Sequence, residues 1–192
     1  NYDDQNIQNS STYIHPDDMN LLTLAMKNAL GIENIDSDRE RVNNKTLYIA
    51  EDYKSAYGPA SAQEIQRLAQ NRNNQQVAAV LLKAINSLSS EKPRASLIMS
   101  SSSLDNQAQG RVHFINVNFE LLANQKVTVQ IEDSYGPFLR LVGGEDAVRA
   151  YEHRLQALFG ELLKDKLERL SLNPLALGQD SANCGIHALI NK

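Results

Sequence analysis

Hydrophobic positions along the chain follow a helical period before Pro93 and a strand period directly after it. Apolar residues spaced three and four apart predict amphipathic helices, whereas alternating apolar and polar residues predict half-buried strands. The predicted helices cover residues 18–30, 62–70, 73–88 and 145–170. The predicted strands cover residues 95–99, 112–119, 127–132 and 172–177, and residues 47–50 fit either a strand or a helical turn.

The order of these elements predicts an α+β fold with a mostly antiparallel central sheet flanked by helices. Residues 1–15 are polar and rich in Asn, Gln and Ser, and we expect them to form a flexible leader. Residues 16–192 would form a single domain, with a helical region over 16–92 and the remaining core over 93–192.

Composition narrows the class of protein. A hydrophobic content of 42% with 22% charged residues indicates a globular protein, and a net charge of −4 argues against a basic nucleic-acid-binding face. No apolar run approaches the roughly 18 residues of a membrane-spanning helix. Neither a metal-ligand spacing nor a phosphate-binding glycine loop is present, so we predict no metal and no cofactor. The chain begins at Asn1 without a signal-peptide pattern, and we expect an excised domain of a longer protein.

A histidine and an aspartate end the apolar faces of two neighbouring predicted strands. Because side chains alternate at period two, a hairpin that pairs Phe119 with Val127 also places His113 directly opposite Asp133. Opposed Cβ atoms lie about 4.5–5.5 Å apart, close enough for a carboxylate to hold an imidazole N–H. A register shift of two residues would loosen this contact without changing the face. The same parity places Glu132 on the opposite face.

The only cysteine of the chain, Cys184, lies between a polar turn-forming run and an apolar segment that can start a helix. Thiols at helix N-termini are usable nucleophiles, although a lone cysteine is more often a buried structural residue. A His–Asp pair can likewise serve only to close a sheet edge. Together, Cys184, His113 and Asp133 have the chemistry of a nucleophile, its base and the group that orients the base. Gln179 adds a side-chain amide donor for an oxyanion hole beside the backbone N–H of Cys184.

The order of these segments resembles the ubiquitin-like protease superfamily, the clan CE cysteine peptidases. The resemblance rests on a strand histidine, on Asp-Ser-Tyr-Gly at 133–136 and on Gln-Asp-Ser-Ala-Asn-Cys-Gly at 179–185, and it covers about residues 95–190. The superfamily includes adenain, the SUMO proteases, bacterial effector deubiquitinases and the YopJ-type acetyltransferases. The resemblance implies a papain-like or adenain-like protease fold, with Cys184 as nucleophile, His113 as base, Asp133 as orienting residue and Gln179 as oxyanion donor.

The same resemblance implies a monomeric isopeptidase that removes ubiquitin or a ubiquitin-like protein. The residues that would form a narrow slot for the Gly-Gly tail of the modifier are Phe114, Ser134, Tyr135, Gly136 and Gly185. Residues 16–92 would recognise the globular body of the modifier. One cysteine suits a reducing compartment, and the resemblance implies a secreted effector acting in a host cytoplasm. Two alternatives stay open, namely an acetyltransferase of the YopJ type with the same triad and an inactive modifier-binding module.

Overall fold

The computed structural model describes residues 35–36, 46–106 and 113–173. The elements of these ranges are β1 (Ile35–Asp36), β2 (Thr46–Ala50), α1 (Ala62–Gln70), α2 (Arg72–Asn86), β3 (Arg94–Ser103), β4 (His113–Leu121), β5 (Val127–Glu132), α3 (Gly136–Leu163) and β6 (Leu167–Leu172). Short 3₁₀ helices cover Tyr53–Ser55 and Lys164–Lys166. None of the helices in these ranges has the length and hydropathy needed to cross a membrane.

The fold class is α+β, as predicted, but the sheet is mixed, and the prediction of a mostly antiparallel sheet is wrong. Its strand order is β1-β3-β4-β5-β6, and β2 lies beside β3 on the same side as β1. Antiparallel pairing joins β3 to β4 and β4 to β5, whereas β1 and β2 run parallel to β3, and β6 runs parallel to β5. Helices connect β2 to β3 and β5 to β6, and such crossovers return the chain in its original direction, which makes the joined strands parallel.

The helix predicted over 145–170 and the strand predicted over 172–177 both have different bounds in the structure. The helix α3 begins at Gly136, is broken at Gly144 by a φ of 67°, and ends at Leu163. The strand β6 already begins at Leu167. Lys164 adopts a positive φ of 54°, which no α-helical residue has, and this ends the helix before the apolar spacing does. Residues 47–50 form part of a strand, and the predicted helix at 18–30 lies outside the described residues.

Side-chain caps fix where the first two helices begin. The hydroxyl of Ser61 accepts the Glu64 backbone N–H at the start of α1. The side-chain oxygen of Asn71 accepts the N–H groups of Asn73 and Asn74 at the start of α2. Each cap satisfies donors that the first helical turn leaves unpaired, which contributes about 1 kcal/mol per helix.

The core lies between the inner face of the sheet and the helices. Odd-numbered residues of β4 and β5, such as Ile115 and Ile131, pack with Leu155, Leu158 and Phe159 of α3, and all five side chains are buried. Full burial of a side chain of this size contributes about 1.5–3 kcal/mol. The period-two alternation therefore decides which residues of each strand face α3, and it turns His113 and Asp133 toward the same side.

Candidate functional site

His113 and Asp133 meet at one edge of the sheet. His113 opens β4 and Asp133 directly follows β5, so the antiparallel pairing brings the two strand ends together. The imidazole Nε2 lies 2.5 Å from Asp133 Oδ1. The side chain of His113 is 14% exposed and that of Asp133 is fully buried. The contact that the strand parity predicts is therefore present, and it lies at the margin of the core.

The predicted register of this hairpin is wrong by two residues. The structure pairs Phe119 with Val129 and Leu121 with Val127. The strand β4 extends to Leu121 because the connection is tight: the N–H of Gln125 donates to the carbonyl of Leu122, and Gln125 adopts a φ of 65°. His113 consequently lies diagonal to Asp133 on the same face, a separation that a long side chain bridges.

Three donors surround the buried carboxylate of Asp133. Its Oδ1 binds His113 and also accepts the backbone N–H of Tyr135 at 2.8 Å, while Oδ2 accepts the hydroxyl of Tyr151 at 2.6 Å. Burial alone would raise the pKa of Asp133, but the charge of His113 and these hydrogen bonds outweigh it, so the pKa is lowered. Asp133 is thus ionised at neutral pH and directs the Nε2–H of the imidazole toward itself.

Three tyrosines, Tyr57, Tyr135 and Tyr151, form a tyrosine cluster beside this pair. The ring of Tyr57 lies 4.2 Å from that of Tyr135 and meets the ring of Tyr151 edge-on at 4.9 Å. Tyr135 in turn meets the imidazole of His113 edge-on at 6.4 Å. Burial raises the pKa of Tyr135, and burial with the charge of Asp133 raises the pKa of Tyr151 well above its ordinary value. Both phenols are therefore neutral near neutral pH, and the hydroxyl of Tyr151 donates to Asp133.

Arg154, one turn beyond Tyr151 on α3, fastens the segment that carries Tyr57. It is 1% exposed and donates to the backbone carbonyls of Ile49, Gly58 and Pro59. The same guanidinium binds both carboxylate oxygens of Glu64 on α1. Arg154 thus connects α3 to α1 and to the turn around Gly58, and so fixes the helix and the turn that carry Tyr151 and Tyr57.

Sequence reasoning missed the roles of Tyr151 and Arg154. Both residues lie within the helix predicted over 145–170, and the helical spacing gave Tyr151 only a place on the apolar side of that helix. The available signal was the phenol itself, because a buried tyrosine hydroxyl needs a polar partner. An arginine three residues after a core position also lies on nearly the same side of a helix.

The other predicted site residues lie in different parts of the chain, and only some of them lie beside Asp133. Phe114 is 1% exposed and, being adjacent to His113 on the strand, faces the opposite side of the sheet. Ser134 is buried, while Tyr135 and Gly136 are half-buried in the turn that leads into α3. Asp133 and Gly136, together with Pro137 and Arg140, line a cleft of about 240 Å³. The predicted residues Gln179, Cys184 and Gly185 lie outside the described residues.

Glu132 lies on the other face from Asp133, as the parity predicts. Its Oε1 accepts the side-chain amide of Asn173 at 3.2 Å, and it is paired across the strands with the fully buried Asn116. Burial raises the pKa of Glu132. Among the residues that the structure describes, Glu132 Oε2 and both side-chain polar atoms of Asn116 have no hydrogen-bond partner. This pair is thus separate from the His113–Asp133 contact.

Comparison with protein-family models gives no match, and neither does comparison with curated protein sequences. In residues 35–36, 46–106 and 113–173, no three His, Cys, Asp or Glu side chains are grouped so as to hold a metal ion. What the described arrangement provides chemically is an imidazole held by a buried carboxylate, which is the form of a positioned general base.

Proposed function

We propose that this protein is a cysteine isopeptidase that removes ubiquitin or a ubiquitin-like protein from its targets. The observation that carries the proposal is the hydrogen bond between His113 Nε2 and the fully buried carboxylate of Asp133. The order His113, Asp133, Gln179, Cys184 along the chain supports a thiol nucleophile, and its resemblance to the ubiquitin-like protease superfamily supports this substrate class.

The chemistry follows from which ring nitrogen Asp133 binds. With the proton of Nε2 directed at the carboxylate, Nδ1 is the nitrogen that takes the proton of the Cys184 thiol. The thiolate attacks the carbonyl carbon of the terminal glycine of the modifier, and His113 gives the proton to the lysine nitrogen as the C–N bond breaks. Water then hydrolyses the thioester, with His113 as base, which releases the glycine carboxylate and restores the thiol.

The remaining roles in the proposal rest on the resemblance. Gln179 and the backbone N–H of Cys184 would donate to the oxyanion of the tetrahedral intermediate. Gly185, with the turn at 134–136, would form the slot for the Gly-Gly tail. Phe114, predicted as part of that slot, is buried on the opposite face of the sheet from His113 and is not part of it. A host cytoplasm, where a secreted effector would act, is reducing and would keep Cys184 as a thiol.

The test is labelling of the full chain by ubiquitin and SUMO probes that carry a C-terminal electrophile. We expect wild type to form a covalent adduct with at least one probe and Cys184→Ala to form none. His113→Ala is expected to slow labelling by about 10²–10⁴-fold. His153→Ala is the matched control, because His153 is an exposed residue of α3 and its loss should leave labelling unchanged.

Two outcomes would contradict the proposal. Wild type could fail to label with every modifier, or Cys184→Ala could label as well as wild type. Acetylation of Cys184 by acetyl-CoA, without labelling by any modifier probe, would instead support an acetyltransferase of the YopJ type.

A further inference from the structure

The hydroxyl of Tyr151 holds the oxygen of Asp133 that His113 does not contact. We propose that Tyr151 is a positioning residue, which keeps the Asp133 carboxylate in the orientation that receives the Nε2–H of His113. This role rests on the proposed function, in which His113 is the base and Asp133 orients it.

The carboxylate is held at both oxygens. Oδ1 binds His113 and the backbone N–H of Tyr135, and the donor to Oδ2 is the Tyr151 hydroxyl at 2.6 Å. That distance is typical of a charge-assisted O–H···O⁻ bond. Rotation of the carboxylate about its Cβ–Cγ bond would break hydrogen bonds at both oxygens. Without the hydroxyl, Oδ2 would lose this donor, and the side chain of Asp133 has no exposed surface at which water could replace it.

Tyr151 is itself rigidly held. Its side chain is fully buried on α3, and the ring of Tyr57 packs edge-on against it. One turn later, Arg154 ties the same helix to the carbonyls of Gly58 and Pro59. A side chain fixed in this way can keep a functional group within the roughly 0.5 Å that a catalytic arrangement requires.

The charge relation also favours this role. The titratable groups that face Asp133 from the described elements are His113 on β4, Tyr135 in the turn and Tyr151 on α3. Burial and the charge of Asp133 raise the pKa of Tyr151, so the phenol stays protonated and donates to the carboxylate. Loss of a hydrogen bond to a charged group raises the pKa of a buried carboxyl by about one to two units.

The test compares Tyr151→Phe with Tyr48→Phe in the full chain. Tyr48 is also buried, but on β2, so its change removes a core phenol without touching Asp133. The first measurement is NMR titration of the Asp133 carboxyl carbon, assigned with Asp133→Asn. We expect Tyr151→Phe to raise the midpoint by about one pH unit or more and Tyr48→Phe to leave it unchanged. An unchanged midpoint in folded Tyr151→Phe would overturn the inference.

The second measurement is the rate at which iodoacetamide alkylates Cys184, the single cysteine of the chain, as a function of pH. Protonation of Asp133 destabilises the imidazolium that in turn stabilises the thiolate. We therefore expect Tyr151→Phe to shift the acid limb of the profile to higher pH. At a pH on that limb the rate should fall about tenfold for each unit of displacement. A limb that coincides with those of wild type and Tyr48→Phe would also count against a positioning role.

The two measurements separate this inference from the proposed function. If the Asp133 midpoint shifts in Tyr151→Phe while His113→Ala leaves the wild-type alkylation profile unchanged, the hold of Tyr151 on Asp133 is supported and the thiol mechanism fails. If Tyr151→Phe does not fold, the NMR resonance of the Tyr151 hydroxyl proton in wild type is measured instead. It is expected as a slowly exchanging downfield resonance that Asp133→Asn shifts, and its absence would overturn the inference.

Discussion

Replacing Arg154 by methionine should destabilise the fold far more than removing any exposed arginine. Arg154 is 1% exposed, and all of its N–H donors point at acceptors. Nε donates to the Gly58 carbonyl at 2.8 Å, and Nη1 donates to the Ile49 carbonyl at 2.9 Å. Nη2 donates to the Pro59 carbonyl at 3.0 Å, and Nη1 and Nη2 together bind the carboxylate of Glu64 at 2.8 and 3.3 Å. Methionine keeps much of the volume and none of these bonds.

The magnitude follows from what the substitution leaves behind. Glu64 has a side chain that is only 13% exposed, so its carboxylate would lose its cation in a place that water reaches poorly. Removal of one partner of a buried ion pair costs about 3–5 kcal/mol. For a protein of this size, each kcal/mol lowers the melting temperature by about 2–4 °C, so we expect a loss of roughly 6–20 °C. The expected loss is a large part of the roughly 5–15 kcal/mol that stabilises a typical fold.

Arg67→Met is the matched control. Arg67 also donates two hydrogen bonds to one carboxylate, that of Glu51, at 2.6 and 2.9 Å. The side chain of Arg67 is 58% exposed, however, and that of Glu51 is 39% exposed. Because water and salt screen such a pair, its loss should leave the melting temperature close to that of wild type. Thermal and urea unfolding followed by circular dichroism measure both variants.

Equally small losses for Arg154→Met and Arg67→Met would refute the reasoning from burial. Adding Glu64→Leu to Arg154→Met should recover part of the loss, because it removes the carboxylate that has lost its bound guanidinium. If Glu64→Leu instead lowers the stability of Arg154→Met further, as a separate core defect would, the unpaired charge of Glu64 is not the cause of the loss in Arg154→Met.

Four smaller substitutions test three other features. Burial raises the folded-state pKa of Glu132, so stability falls as pH rises from the unfolded value toward the folded one; Glu132→Gln should therefore raise the free energy of unfolding at about pH 7 and change it less at about pH 4. Equal effects in urea unfolding at both pH values would contradict this. Gly160→Ala should stabilise α3 by about 0.5–1 kcal/mol, since its Cβ would meet no atom within 4 Å, whereas Gly144→Ala should cost about 1–2 kcal/mol because of its φ of 67°. The reverse order of melting temperatures would refute that comparison. Ser61→Ala should cost about 1 kcal/mol, because the Glu64 N–H loses its cap, and an unchanged unfolding midpoint would count against it.

The sequence was most informative where a local signal marks both ends of an element. The predicted bounds of α1 agree with the structure, because Ser61 provides a cap that needs no distant partner. The end of α3 was mispredicted, since Leu167 and Leu170 continue the helical spacing beyond Leu163. The helix stops at Lys164, whose positive φ no hydrophobic pattern encodes.

The direction of the strands depended on connections rather than on patterns. Alternation predicts the strands β3, β4 and β5. The short hairpin between β4 and β5 explains one of the two antiparallel pairings. The parallel pairing of β6 with β5 is set by α3 crossing between them, which strand-by-strand periodicity does not express. The roles of Tyr151 and Arg154 were equally hidden, because an apolar stripe does not reveal which buried residue meets a charge from another element.

The contact between His113 and Asp133 was predicted correctly from a register that is wrong, and the reason is physical. A shift of two residues exchanges the direct partner of each side chain but keeps every side chain on its face. The structure pairs Val117 with Ile131 rather than with Val129, so Asp133 gains a diagonal relation to His113 in place of a direct one. An imidazole spans that diagonal, and Tyr135 and Tyr151 hold the carboxylate in place to receive it. Parity therefore decides that the two groups share one side of the sheet, while the length of the histidine side chain and the donors to Asp133 decide that they touch.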